Sequence, residues 1–400
     1  MSSRADRFDD WIRCSFVEMN TTLENLYFEQ QDRANVDGLG DGIKAQLRDE
    51  GRAFVVSLLE EGNTGEGFDS GFGVLGNVGL YLAALRRHEL SNPAREEKSP
   101  FAEASSLALH VGASLGMAPR FATSHLATHN LAINGVQKRF TSLRDEMLFL
   151  NENTWGILCF QRVADALSRI VPLGISHSAT HRLLMNARDA LHDVMLTNDR
   201  LFSELDVDRF FYCVRPYYKP YRVGRQEYRG ANAGDFSGIN EIDLLLGLCR
   251  ASDPYYAQLL VDKMLFMLPG DQARLRDCMT RTSLLDEFLR CADTAAAGEP
   301  WFQRNAAAFL DVCEVYGRTA AQHHDRLVEK FIRRPAESLP EAHLGGVTAS
   351  GPPLPVLLRS LEVLRDLRLA APRGDIASRH ACMERLGARV AAGQGTRRIT

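Results

Sequence analysis

The sequence predicts an all-α fold with many helices and irregular connections. Three observations carry this. Apolar residues recur at three-and-four spacing over most of the chain beyond residue 100. Proline and glycine separate these stretches, at Pro119, Pro172–Gly174, Pro269–Gly270, Gly298–Pro300, Pro335 and Pro352–Pro353. Alternating strand patterns are scarce, and neither a hairpin signature nor an internal repeat is visible. The expected helices, in order, are 102–116, 142–171, 180–203, 239–250, 254–268, 272–297, 301–333 and 353–370. In the first, Ala104, Leu107, Ala108 and Val111 form one face. In the fourth, Ile242, Leu245, Leu246 and Cys249 repeat that pattern. Helix 301–333 carries Phe309, Val312, Tyr316, Ala320, Leu327, Val328 and Phe331 on its stripe. The expected organisation is an N-terminal helical region (1–70) packed on a core domain (71–370), followed by a C-terminal helix and tail (371–400).

With 400 residues, 45% of them hydrophobic, the chain can bury a large core. A net charge of −4 and a pI near 6.3 give no polyelectrolyte pull toward nucleic acid or anionic membranes. The N-terminus lacks the apolar stretch of a secretory signal, and the best membrane candidate, 71–85, is short and glycine-rich. The 8 cysteines are scattered without a CxxC pair, which fits free thiols in a reducing cytoplasm. Two loops are glycine-rich, 222–238 and 342–353, and neither matches a phosphate-cradling motif. A long loop inside a helical domain more often serves a site than a linker.

Residues 322–332, QHHDRLVEKFI, place two adjacent histidines late in helix 301–333. At 3.6 residues per turn, His324 shares a face with Ala320, Leu327, Val328 and Phe331. His323, about 100° away, shares a more polar one. A helix-borne imidazole facing an apolar slot can ligate a haem iron, or it can be a core histidine bonded to a carbonyl or carboxylate. This segment alone leaves both readings open.

Three ordered segments narrow the choice: HHDRLVEKFIRRPA (323–336), the stretch 209–248 with RPYYKPYRVGRQEY inside it, and GGVTASG (345–351). Together with GFGVLGNVGLYLAALRRHE (71–89) they resemble the haem-dependent dioxygenase superfamily of indoleamine and tryptophan 2,3-dioxygenases. The likeness is strongest to its PrnB-like (monodechloroaminopyrrolnitrin synthase) branch, over about residues 71–370. The resemblance implies an indoleamine 2,3-dioxygenase-like haem-binding fold. It makes His324, which fits H-x-x-[LIM]-[VA]-x-[KR], the proximal ligand of haem b, with O₂ as co-substrate. Phe210 and Arg215 match the family's F-x-x-x-x-R, in which the arginine pairs a substrate carboxylate; a guanidinium fork suits that task. Asn232, Ala233 and Gly234 correspond to the small-residue turn beside the distal haem face, and Thr348 and Ser350 to the mobile loop that closes over substrate.

This sequence departs from the family pattern at Asp235–Phe236, where the dioxygenases carry a neutral polar pair, and at the two prolines of GVTASGPP. His125 and His129, four apart, would lie on one helical face. They are candidate acid–base or substrate-binding groups over the haem, or structural residues. His177 and His181 read as solvated, and the aromatic cluster around Phe210 and Tyr221 as packing.

The resemblance implies a cytoplasmic haem-dependent oxygenase of secondary metabolism, acting on tryptophan or a related aromatic amino acid. The outcome is ring oxidation, hydroxylation or rearrangement. Its partners would be the amino-acid-like substrate and an external electron donor, without nucleic acid or membrane, as a monomer or homodimer. Two alternatives are oxygenation of a non-indole amino acid or amine, and non-catalytic haem binding or sensing.

Overall fold

A computed structural model describes residues 3–62, 67–232, 234–334 and 354–396. The chain opens with α1 (Ser3–Arg13), α2 (Ser15–Phe28), α3 (Asp41–Glu61), α4 (Phe68–Arg87) and α5 (Ala102–Leu115). The long helices α6 (Arg144–Leu173) and α7 (Thr180–Glu204) pack along each other. A short turn, α8 (Val207–Arg209), leads into a π-helical turn (Phe210–Val214) and a 3₁₀ turn (Arg215–Tyr218). Then follow α9 (Ser237–Leu246), α10 (Pro254–Met264), α11 (Pro269–Thr280), α12 (Leu284–Ala292) and α13 (Pro300–Gln322). A π-helix (His323–Arg333) continues α13, and α14 (Leu354–Arg368) and α15 (His380–Thr396) end the described chain. The fold is all-α, as the periodicity predicts.

Three local expectations are corrected. Stretch 272–297 is broken at Ser283, whose hydroxyl accepts from the Asp286 amide and restarts the chain as α12. Helix 301–333 changes winding at His323 from i→i+4 to i→i+5. A small antiparallel hairpin, Tyr221–Val223 with Gln226–Tyr228, lies in the first glycine-rich loop; Gly224 at φ +59° turns it.

Two hydrophobic cores are present. The first joins residues of α1–α5 to the segment around Phe121 and Phe140 and to Phe210–Val223, and reaches Phe331 of the π-helix. The second joins α6, α7 and α9–α13 to α14 and α15. The first core spans residue 70 and the second extends past residue 370 to Val390. Phe331 packs edge-on against Phe210 at 6.1 Å, so the π-helix that continues α13 of the second core is anchored in the first.

Helix α4 shows why the 71–89 phrase is rich in glycine. A Cβ on Gly79 would lie 2.2 Å from the Phe121 backbone nitrogen, and one on Gly76 2.4 Å from the His125 ring. The missing side chains let segment 121–125 lie directly on the helix. Gly79→Ala is expected to destabilise the protein by about 1–3 kcal/mol, because backbone rather than a side-chain tip must move. Chemical denaturation of the variant checks this. By length and composition α4 could cross a membrane, but 83% of its apolar window is buried inside the protein. Its full helical length exceeds the short stretch expected from sequence.

Buried ion pairs tie the elements together. Asp9 of α1 meets Arg13 at 2.6 Å and Lys138 at 2.6 Å and accepts from Asn77 of α4 at 3.0 Å. Arg87 of α4 is bidentate to Glu24 of α2, both bonds 2.8 Å. Arg368 of α14 is bidentate to Asp243 of α9, at 2.9 and 2.8 Å, and that carboxylate also accepts from the Tyr256 and Tyr316 hydroxyls. Such pairs fix register more than they add net stability.

Candidate functional site

The two histidines stand at the start of the π-helix. His324 has a side chain only 12% exposed. Its Nδ1 lies 3.3 Å from Asp325 Oδ1 and 3.3 Å from the Arg365 guanidinium of α14. A protonated Nδ1 donates to Asp325; Arg365, a donor only, favours the opposite tautomer. The Nε2 of His324 is enclosed and has no hydrogen-bond partner. A buried ring nitrogen without a partner is a costly arrangement unless something else takes its lone pair. A carboxylate on Nδ1 and a free Nε2 is the pattern of a metal-ligating histidine.

His323 is exposed, in keeping with the more polar face that the helical wheel assigns it. Desolvation by the surrounding protein, then the positive charge of Arg368, with His324 and Lys263 beside it, push its ring down to about 4.

Asn232 and Gly234 form a tight turn: the Gly234 amide donates to Asn232 Oδ1 at 2.9 Å, and the Asp235 amide to the Asn232 carbonyl at 3.0 Å. Asp235 explains the departure from the family pattern. Its buried carboxylate bridges Arg120 at 2.8 Å and Arg229 at 2.6 Å. Both guanidiniums stack on Phe266, each 4.3 Å from the ring centre. Lys263 of α10 donates to the Gly234 carbonyl at 3.3 Å, and burial pushes its amine down to about 8. The fields of Lys263 and Arg368 reach His323, so the turn and the histidines border one region. Ala233, Thr348 and Ser350 lie outside the described residues.

Phe210 is buried, touching Phe149 at 5.0 Å and Phe331 at 6.1 Å. Arg215 follows on the 3₁₀ turn, with its guanidinium 5.3 Å from the Phe211 ring centre. It is half-buried by accessible surface yet densely surrounded, and desolvation alone pushes it down to about 10. Among the described residues no carboxylate or carbonyl is bonded to it. That is unusual for an enclosed guanidinium, whose five N–H groups ordinarily find acceptors.

His125 and His129 do not share a helical face, because only Thr123–His125 is helical, as a 3₁₀ turn. His125 stacks on Phe72 at 3.7 Å. Its Nε2–H donates to the Phe72 carbonyl at 2.9 Å, and its Nδ1 accepts from the Ala122 amide at 2.8 Å. Both nitrogens are engaged, and desolvation, then Lys138, push the ring down to about 3. It is a neutral structural group with no nitrogen free for proton transfer. His129 is exposed, with Nδ1 2.9 Å from the Thr128 hydroxyl and its ring against the Phe72 edge. His181, read as solvated, is half-buried, and its Nδ1 is enclosed without a partner.

The buried neutral histidines set an acid limit on the fold. His125 and His88 are both held below the usual value of 6.5, chiefly by desolvation. The unfolded chain binds their protons at higher pH than the folded one. Their contribution is therefore complete above the unfolded value and declines as pH falls from there toward the folded one. The expected slope is up to about 1.4 kcal/mol per pH unit for each histidine. Denaturation midpoints between pH 7 and 4 check this, and His125→Leu should remove one histidine's share of the slope.

A surface cleft of about 260 Å³ is lined by Phe202, Asp325, Arg326, Glu329, Lys330 and Arg334. It is open and charged and includes neither histidine, so it is not the site. Sequence reasoning missed Lys219, Lys263, Arg365 and the Arg120–Asp235–Arg229 bridge. Their partners are remote in sequence, and only the charge of Asp235 at a position expected to be neutral pointed to one of them.

The all-helical architecture thus carries a histidine with one unmet nitrogen and a half-buried arginine at positions that the resemblance to the haem-dependent dioxygenase superfamily singled out. The family model described as monodechloroaminopyrrolnitrin synthase PrnB matches residues 2–390. The chain belongs to the PrnB family, an enzyme family.

Proposed function

We propose that this chain is a haem-dependent oxygenase acting on tryptophan or a closely related aromatic amino acid in secondary metabolism. The observation that carries the cofactor is His324, with Asp325 on Nδ1 and an enclosed, unpartnered Nε2. The residues present fit haem: His324 would ligate its iron, and Asn232 and Gly234 would lie beside it. When bound, haem supplies the oxygen chemistry; the chain supplies ligation, orientation and exclusion of water.

Arg215 supports an amino-acid substrate. A half-buried guanidinium without an anion among the described residues is matched by a carboxylate brought by the ligand. Phe211 lies on its flank, and Phe210, buried beside Phe149 and Phe331, precedes it on the same turn, where an aromatic side chain would pack. The engaged nitrogens of His125 remove one polar group from the candidate distal chemistry and favour an apolar pocket over the amine-oxidising alternative.

Purified protein reconstituted with hemin should show a Soret band, and tryptophan should shift it. Reduced holoprotein given tryptophan and ¹⁸O₂ should yield a product whose mass carries the label. A protein that binds no hemin, or labelled oxygen absent from every product of tryptophan and its ring-substituted relatives, would overturn the reading.

A further inference from the structure

Two side chains of opposite sign meet one ring nitrogen. Asp325 Oδ1 and Arg365 Nη1 each lie 3.3 Å from His324 Nδ1, and they stand 4.0 Å from each other. An ionised carboxylate only accepts, and a guanidinium only donates. The carboxylate is satisfied when Nδ1 carries the proton, which leaves the Nε2 lone pair for a metal. The guanidinium is satisfied when Nδ1 is bare, which puts the proton on Nε2 and closes that nitrogen to a metal. The two bonds cannot be made at once, so each side chain favours a different tautomer.

The two competitors are held differently. Asp325 follows the histidine on the π-helix and is 65% exposed. Arg365 reaches across from α14 and is fixed there by Asp366 at 2.8 Å, with Glu362 at 3.8 Å. Arg373 shares Asp366 at 2.7 Å, and its other ion-pair partners are Asp375 and Glu362.

We infer that Arg365 is a positioning residue that competes with Asp325 for His324 and so limits the electron donation of this imidazole to iron. This rests on the haem reading given above and adds the residue that tunes the same ligand. A whole bond to Asp325 makes the imidazole the stronger donor and favours ferric iron. Competition from Arg365 weakens that bond and places a positive charge beside the ring. Both effects favour the ferrous form, the one that takes up O₂.

Spectroelectrochemical titration of the hemin-loaded protein tests this. Arg365→Met should lower the reduction potential, raising the ferric-to-ferrous ratio at a fixed potential about tenfold, or about 59 mV for one electron. Arg365→Lys keeps a cation there and should recover most of that shift. Arg373→Met also takes a partner from Asp366 but leaves the histidine's neighbours in place, so its potential should match the parent's. In an Asp325→Ala background, Arg365→Met should shift the potential less, because the bond it competes with is gone. An unchanged potential in Arg365→Met, an equal shift in Arg373→Met, or equal shifts with and without Asp325 would overturn the inference.

A second measurement needs no haem. Ring ¹⁵N shifts of the histidine-labelled apoprotein report which nitrogen carries the proton. Arg365→Met should move His324 toward the Nδ1–H tautomer, and Asp325→Ala toward Nε2–H. A tautomer that ignores Arg365 would overturn the competition. If the parent protein binds no hemin while the tautomer still responds to Arg365, the haem reading fails and the competition stands.

Discussion

His324→Ala is expected to yield folded protein that no longer shows a Soret band after hemin reconstitution, whereas His323→Ala should retain it. The basis is the difference between the two rings. His324 offers an enclosed nitrogen with nothing bonded to it, and its other nitrogen faces a carboxylate that fixes the ring. Loss of an axial ligand removes the strongest single bond between protein and cofactor. Disturbing the residue behind it, as in Asp325→Ala, costs about 10–100-fold in affinity. Circular dichroism of both variants separates lost ligation from lost fold, and added imidazole should partly restore the band of His324→Ala. The reverse pattern would assign the bond to His323.

Arg215→Met is expected to retain haem and lose the tryptophan-induced spectral shift. Removing one partner of a buried charged hydrogen bond costs about 2–5 kcal/mol, or about 30-fold and upward in affinity. The substitution also removes a densely surrounded charge that no acidic side chain among the described residues compensates. The apoprotein should therefore become no less stable, and its thermal midpoint should hold or rise. Loss of affinity together with undiminished stability is the signature of a ligand-binding charge. A structural arginine would show the opposite.

Much of the fold was legible because helical periodicity is local. The face formed by Ile242, Leu245, Leu246 and Cys249 is buried as its spacing predicts. What escaped was whatever depends on remote partners or on small changes in winding. Nothing in the apolar pattern around 323 distinguishes an i→i+4 from an i→i+5 helix, yet the difference decides which way two imidazoles point. The break at Ser283 and the hairpin at Gly224 escaped as well, since one cap and one glycine stand inside stretches whose overall pattern reads as helix or loop. Motif spacing brought Phe210, Arg215 and His324 forward. It could not show that His125 was already bonded at both nitrogens, since one partner, Phe72, lies on α4.

The bridge of Asp235 between two arginines that clasp Phe266 has a consequence for how the pocket meets its guests. A wall fastened by two ion pairs, two ring stacks and its own amide bonds has little freedom left to surrender on ligand entry. Compounds that fit it should differ chiefly in how long they stay. Those that do not fit should be refused rather than accommodated, giving the enzyme narrow tolerance for added bulk on that side.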